Sequence, residues 1–240
     1  MRPINKGRSP YSTISAYNEA LPFLESAIGL YCSYCEYPIG HAPEVEHIVS
    51  KSAGGELTAW ENLLVSCKYC NTRKKAIVNK TNVDEYLWPD RYNTALAYNY
   101  ENGVPTVNED ALIKLDPSGS ALKKAQNLFD LVKLGNVPPL KGRDRRARSR
   151  NSVFEIALDS LATYQNGKEI YHDNIKLLAK QIVQTAISNG FFSIWTTVFA
   201  DEPEILHMLI DAFPGTEKAF YDESGLPKSI LTRTQELSCV

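Results

Sequence analysis

Four of the five cysteines fall in two pairs, Cys32-x2-Cys35 and Cys67-x2-Cys70, separated by 31 residues. Each pair lies in a short polar knuckle, residues 31–37 and 66–71, and two such turns can aim four sulfurs at one tetrahedral ion. No run of 18 apolar residues exists and residues 1–10 are basic and polar. Neither a membrane span nor a signal peptide is therefore expected, and the expected location is cytoplasmic. In a reducing compartment a disulfide framework is a poor expectation, and a metal site or reactive thiols are better ones. The fifth cysteine, Cys239, is assigned no part.

Composition narrows the class. The 240 residues are 43% hydrophobic and 22% charged with a net charge of −2, which excludes collagen-like, coiled-coil and wholesale disordered chains. It also excludes a surface that is basic throughout, so any contact with nucleic acid must come from a local patch. Two such patches exist. Residues 67–80 hold five basic side chains and no acid, and residues 141–150 hold six against Asp144, whereas residues 151–240 hold 6 basic and 12 acidic residues. That distribution suits a protein that touches phosphates on one face and a partner elsewhere.

Apolar spacing predicts a helix over residues 12–29 that ends at Gly29, and a basic helix start over 72–78. Residues 94–108 alternate as strands do around Asn102-Gly103, a hairpin signal. Helices are expected over 121–134, 145–164, 171–189 and 203–213. The resulting class is α+β. A boundary near residues 116–119 separates a cysteine-rich unit, 1–116 with its core at 31–80, from a helical unit, 117–240, that would dock a partner. His172 and His207 read as structural, Tyr86 and Trp88 as core, and His41 as a loop residue or a further ligand. The run 141–150 is either a solvated helix start or a nucleic-acid contact.

Between the cysteine pairs lie Val45-Glu46-His47-Ile48, Gly54-Gly55 and Asn62-Leu63, and the second pair runs into Asn71 with Lys74 and Lys75 behind it. The segment from Cys32 to Lys75 resembles the HNH endonucleases, whose site is a ββα-metal finger. The family pattern is a cysteine pair, an acid-His on a strand, a glycine loop, an Asn-Leu, a second cysteine pair and a His or Asn opening the helix. This resemblance implies structural Zn2+ on Cys32, Cys35, Cys67 and Cys70, because a closed thiolate site has no position for water. It also implies a catalytic Mg2+ or Mn2+ held by Glu46 and Asn71. His47 is the general base, since histidine is the side chain that is neutral and basic near pH 7. Asn62 matches the position that orients the base, although it could be a simple turn cap, and Asn71 could equally be a helix N-cap. Lys51, Lys68, Arg73, Lys74 and Lys75 are the expected grip on phosphates. The family commonly has Asp where Glu46 stands and often His where Asn71 stands.

The opening residues 1–7, the Trp88-Pro89 segment, the hairpin and the helical half are together similar to the HNH subunit of Septu-type bacterial antiphage systems, also found attached to retrons. That similarity implies an ABC/SMC-like ATPase partner, with a retron reverse transcriptase and its DNA as a further one. The expected activity is metal-dependent hydrolysis of DNA to 5′-phosphate and 3′-hydroxyl ends in a defence complex. The alternatives are a toxin-like RNase that cuts a structured RNA such as tRNA, and a non-catalytic zinc-finger adaptor that binds nucleic acid.

Overall fold

The computed structural model describes residues 1–139, 142–170 and 174–232. His172, Lys141 and Cys239 lie outside them. A 3-10 turn, Tyr17–Ala20, leads into helix α1, Leu21–Ile28. The helix is shorter than residues 12–29 because Pro22 has no N–H to give a preceding turn and is tolerated only in the first turn. It ends at Gly29, where φ is 72°, as expected.

Strands β1, Glu44–His47, and β2, Leu63–Ser66, pair antiparallel with His47 opposite Leu63 and Glu46 opposite Leu64. Helix α2, Lys68–Lys74, follows at once. The expected helix start at residue 72 is corrected to Lys68. Cys67 caps the helix through its sulfur, which accepts from the Cys70 N–H, and Lys75 ends it with φ 47°. Asn71 therefore lies inside the helix and is not its cap.

The short helix α3, Thr94–Ala97, is capped by Asn93 and runs into strands β3, Tyr98–Glu101, and β4, Val104–Val107. Asn102 and Gly103 turn this hairpin with φ 50° and 73°, the left-handed pair that a two-residue turn requires. The hairpin is thus shorter than the alternation suggested, because residues 94–97 are helical. Helices α4, Glu109–Leu115, α5, Ser120–Leu131, α6, Arg146–Ile170, α7, Ile175–Asn189, α8, Phe192–Val198, and α9, Pro203–Ala212, follow, with a 3-10 turn at Lys218–Phe220 after them. Helices α4 and α8 have no counterpart among the expected elements, and α6 runs through Gly167 to Ile170. Small strands and a helical C-terminal half make this an α+β protein.

One hydrophobic cluster runs from Met1 and Ile4 through Trp60, Trp88 and Leu128 to Trp195, Phe213 and Tyr221. It is continuous across residues 116 and 117. Polar anchors reinforce it. The buried Glu36 carboxylate in the first knuckle accepts from the Arg2 N–H, the Ser193 N–H and the Ser193 hydroxyl, so helix α8 is bonded directly to the cysteine knuckle. No helix among the described residues is long and apolar enough to cross a membrane.

Candidate active site and metal centre

The four knuckle sulfurs lie within 4.8 Å of one another and all four cysteines are buried. Cys35 Sγ and Cys67 Sγ are 3.7 Å apart, far longer than a disulfide and close to the ~3.8 Å edge of a tetrahedron with metal–sulfur bonds of about 2.3 Å. Burial pushes the Cys35 and Cys70 thiols up, while hydrogen bonds from Cys32, Cys35 and Cys70 pull Cys67 down. Four thiolates this close need a cation to be ionised together. The cysteines are positioned to bind a metal ion and fit a structural zinc site. Arg146, from the helical half, donates to Cys70 Sγ at 3.3 Å and to Val132 O at 2.9 Å while pairing with Asp144 at 2.8 Å. A buried guanidinium thus faces the negative sulfurs. Arg150, also buried, donates to Gly103 O at 3.0 Å. The basic run is therefore split: Arg146 and Arg150 are internal, and Arg143, Arg145 and Arg148 are exposed.

Strand β1 places Glu44 and Glu46 two residues apart, hence on one face, and α2 presents Asn71 and Lys74 three residues apart, hence on one face. The faces meet. Asn71 Nδ2 donates to Glu44 Oε2 at 2.8 Å, and Lys74 Nζ lies 2.8 Å from Glu46 Oε1 and donates to His47 O at 2.6 Å. The Tyr34 hydroxyl donates to Glu46 Oε2 at 2.6 Å. Glu46 and Lys74 are each 1% exposed. Lys74, expected to grip phosphates, is instead an internal counter-ion that ties the helix to the strand. The ammonium's directed hydrogen bond goes to the His47 carbonyl, and Glu46 Oε1 is left buried without an aligned donor.

His47 closes the strand. Its Nε2 lies 2.9 Å from Leu57 O, and because a carbonyl only accepts, the ring carries its proton on Nε2 and its lone pair on Nδ1. Tyr17 meets the ring edge-on with centroids 5.0 Å apart, and Lys51 Nζ lies 4.1 Å over the Tyr17 ring. Burial holds His47 below the usual histidine range. The Lys51 and Lys74 charges act the same way, and the Leu57 hydrogen bond and the Glu46 carboxylate oppose them.

Asn62 does not touch the imidazole. Its Oδ1 accepts from the Val49 N–H at 2.8 Å, and its Nδ2 donates to Glu56 O at 2.8 Å and Val49 O at 3.1 Å. It braces the loop whose next carbonyl, that of Leu57, orients His47, so its role is exerted through that loop. A Cβ on Gly55 would stand 1.9 Å from Val49 O, which is why the bracing requires glycine there.

A cavity of about 340 Å³ is lined by Tyr17, Glu44, Glu46, His47, Lys51, Asn71, Lys74 and Lys75, with Val45 and Ser50. It brings together His47, Glu46, Asn71, Lys51, Lys74 and Lys75 of the expected site, does not include Asn62, and leaves Lys68 and Arg73 exposed on α2. Glu44, Tyr17 and the Leu57 carbonyl were not singled out from the sequence. For Glu44, its two-residue spacing from Glu46 was the available signal. His41 is exposed and lines a different cavity, and His207 Nε2 donates to Glu223 O at 2.8 Å, remote from this site in the chain.

Residues 32–76 match the family model of the HNH endonuclease. No curated protein and no solved structure matches the chain.

Proposed function

We propose that the protein is a metal-dependent endonuclease that hydrolyses phosphodiester bonds in nucleic acid at the His47 cavity. The observation that carries this reading is the His47 ring with Nε2 tied to Leu57 O, which leaves Nδ1 as the basic nitrogen beside two carboxylates and an amide. His47 Nδ1 takes the proton of a water molecule, the water oxygen forms a bond to phosphorus, the bond from phosphorus to the 3′ oxygen breaks, and that oxygen takes up a proton from solvent to leave as the 3′-hydroxyl. The Leu57 carbonyl stabilises the imidazolium that forms. Lys51 and Lys75 draw the anionic backbone in.

The residues present fit a hard divalent cation. Glu46 Oε1 faces the Lys74 ammonium at 2.8 Å without an aligned hydrogen bond, so a cation bound there would share that oxygen with Lys74. Asn71 spends its amide nitrogen on Glu44, so its oxygen is the atom it offers. Glu46 and Asn71, with Glu44 beside them, would hold Mg2+ or Mn2+. When bound, such an ion offsets the charge that develops on the phosphate oxygens.

DNA is the proposed substrate, with RNA the comparison in every assay, because the residues lining the cavity read a backbone and not a base edge. The similarity of the outer segments to a Septu-type subunit extends the proposal to a defence complex with an ATPase, which co-expression and co-purification would test. The catalytic reading is tested by His47→Ala on plasmid and on RNA with Mg2+ or Mn2+. Loss of roughly 10²–10⁴ in rate is expected. Undiminished cleavage would remove His47 as the base and overturn this reading of the cavity.

A further inference from the structure

Helix α2 has a second cavity at its other end. It measures about 260 Å³, and its walls are Tyr37, Pro38, Ile39, Ala42 and Tyr69. Its rim carries Lys68, Arg143 and Arg145, with His41 beside them and Arg146 and Cys67 beneath, and no carboxylate lines it. Lys68, Arg143 and Arg145 are exposed, whereas Arg146 is consumed internally by Asp144 and Cys70. The Tyr69 hydroxyl donates to the Arg143 carbonyl, which seats the rim arginine against α2. A third hollow shares Tyr37, Pro38 and Arg145 with this one and adds Arg148, again with no carboxylate in its lining.

The two ends of α2 are connected by one stripe. Lys68 and Asn71 are spaced by three residues and share a face of α2, and Lys75 follows directly after its last turn. Lys68 stands about 4.5 Å along the axis from Asn71 at the helical rise per residue. A strand whose scissile phosphate sits at His47 and Asn71 would therefore place a neighbouring nucleotide over Lys68. Apolar aromatic walls under a cationic rim match the chemistry of such a nucleotide, a π-faced base joined to a phosphate. The cavity has room for one base, not for a duplex.

We propose that this cavity is a nucleotide subsite: it takes an unstacked base of the strand being cut against Tyr37, Pro38 and Tyr69, and the flanking phosphates rest on Lys68, Arg143 and Arg145. The inference rests on the nuclease reading above and gives the helical half a part in holding substrate. Cleavage then needs a single-stranded or locally opened segment on one side of the scissile bond.

The test uses full-length His47→Ala protein, so that substrate is bound and not consumed. Single-stranded DNA and RNA oligomers of one sequence are titrated over a range of salt, against His47→Ala alone and against the same protein carrying Lys68→Gln, Arg143→Gln and Arg145→Gln. Affinity for at least one polymer should fall about tenfold or more at low salt. The slope of log K against log salt should become shallower by about 2, as three lost single-strand phosphate contacts require. Unchanged affinity and slope for both polymers overturn the proposal. Poly-glutamate is titrated alongside, and a loss confined to it also overturns the proposal, assigning the patch to an acidic protein. Photocrosslinking from 5-iodouracil beside the scissile position, done on the parent protein, keeps the proposal falsifiable if the triple variant misfolds: adducts on Tyr37 or Tyr69 support it, and adducts only elsewhere overturn it. Cleavage that persists in His47→Ala would overturn the assignment of the chemistry to the His47 cavity, an outcome distinct from the binding result.

Discussion

The cysteine cluster and the His47 cavity are built on the same β1–β2–α2 unit, yet they treat polar atoms in opposite ways. At the cluster four soft donors converge among buried residues, with the Arg146 guanidinium against them. In the cavity, hard oxygen donors and one imidazole line a hollow wide enough for a phosphate, and two lysines stand at its edge. A closed set of ligands can only hold the chain together, and an open set can bind and turn over something that arrives from solvent. The comparison predicts that damage to the first destroys the fold and damage to the second destroys chemistry while the fold survives.

The largest effect should come from the cluster. Structural zinc is worth on the order of 10 kcal/mol in small finger folds, and here Cys70 also anchors Arg146 from the helical half. Cys70→Ala should therefore lose bound metal and cooperative unfolding of both halves together, as read by metal content and circular dichroism. His47→Ala should keep its metal and its melting profile. A Cys70→Ala protein that melts like the parent would erase the distinction.

The Glu46–Lys74 pair straddles the two behaviours and sharpens the comparison. It is a buried ion pair whose carboxylate also lines the cavity. Removing one partner of such a pair costs roughly 3–5 kcal/mol because the other charge is stranded, whereas replacing both with apolar groups is often neutral. Glu46→Ala should be destabilised on that scale in urea unfolding, and Glu46→Leu with Lys74→Met should regain most of the loss. Cleavage should be absent in both. Recovery of activity along with stability would mean that Glu46 only braces the strand.

The convergence of the four cysteines and the placing of His47 beside Glu46 on one strand were legible in the sequence because their information is local: two-residue spacings and adjacent residues are set by the chain itself. Other features depend on which surfaces fold together. Lys74 looks like one more solvent-facing base in a run of cations, and only the docking of α2 on β1 turns it inward to Glu46. Arg146 and Arg150 belong to an equally uniform run, and packing of α6 on the knuckle and hairpin divides them from Arg143 and Arg145. The helix boundary at Lys68 was hidden because cysteine is not an expected cap, and its sulfur serves as one here through the knuckle geometry. The Leu57 carbonyl has no side-chain signature at all; it reaches His47 because Asn62 and Gly55 shape the loop between them.

The smallest effect is a shift in pH dependence, and its sign separates a cavity that sustains chemistry from one that merely contains a histidine. His47 acts as a base only when neutral, so cleavage should fall as pH drops through its value in the folded protein. Burial and the nearby ammonium groups hold that value below the usual 6.5, and a divalent ion in the cavity acts in the same direction. The acid limb of kcat/KM should therefore have its midpoint below 6.5. Lys51 contributes to the lowering and Glu46 opposes it, so Lys51→Gln should move the midpoint to higher pH. That substitution is on an exposed residue and leaves the Leu57 hydrogen bond and the Lys74 pair in place, so the shift should appear with at most a small loss of stability from the missing contact with the Tyr17 ring. A limb at or above 6.5 in the parent, or a shift to lower pH in Lys51→Gln, would mean that the ring being titrated is not the one held against Leu57.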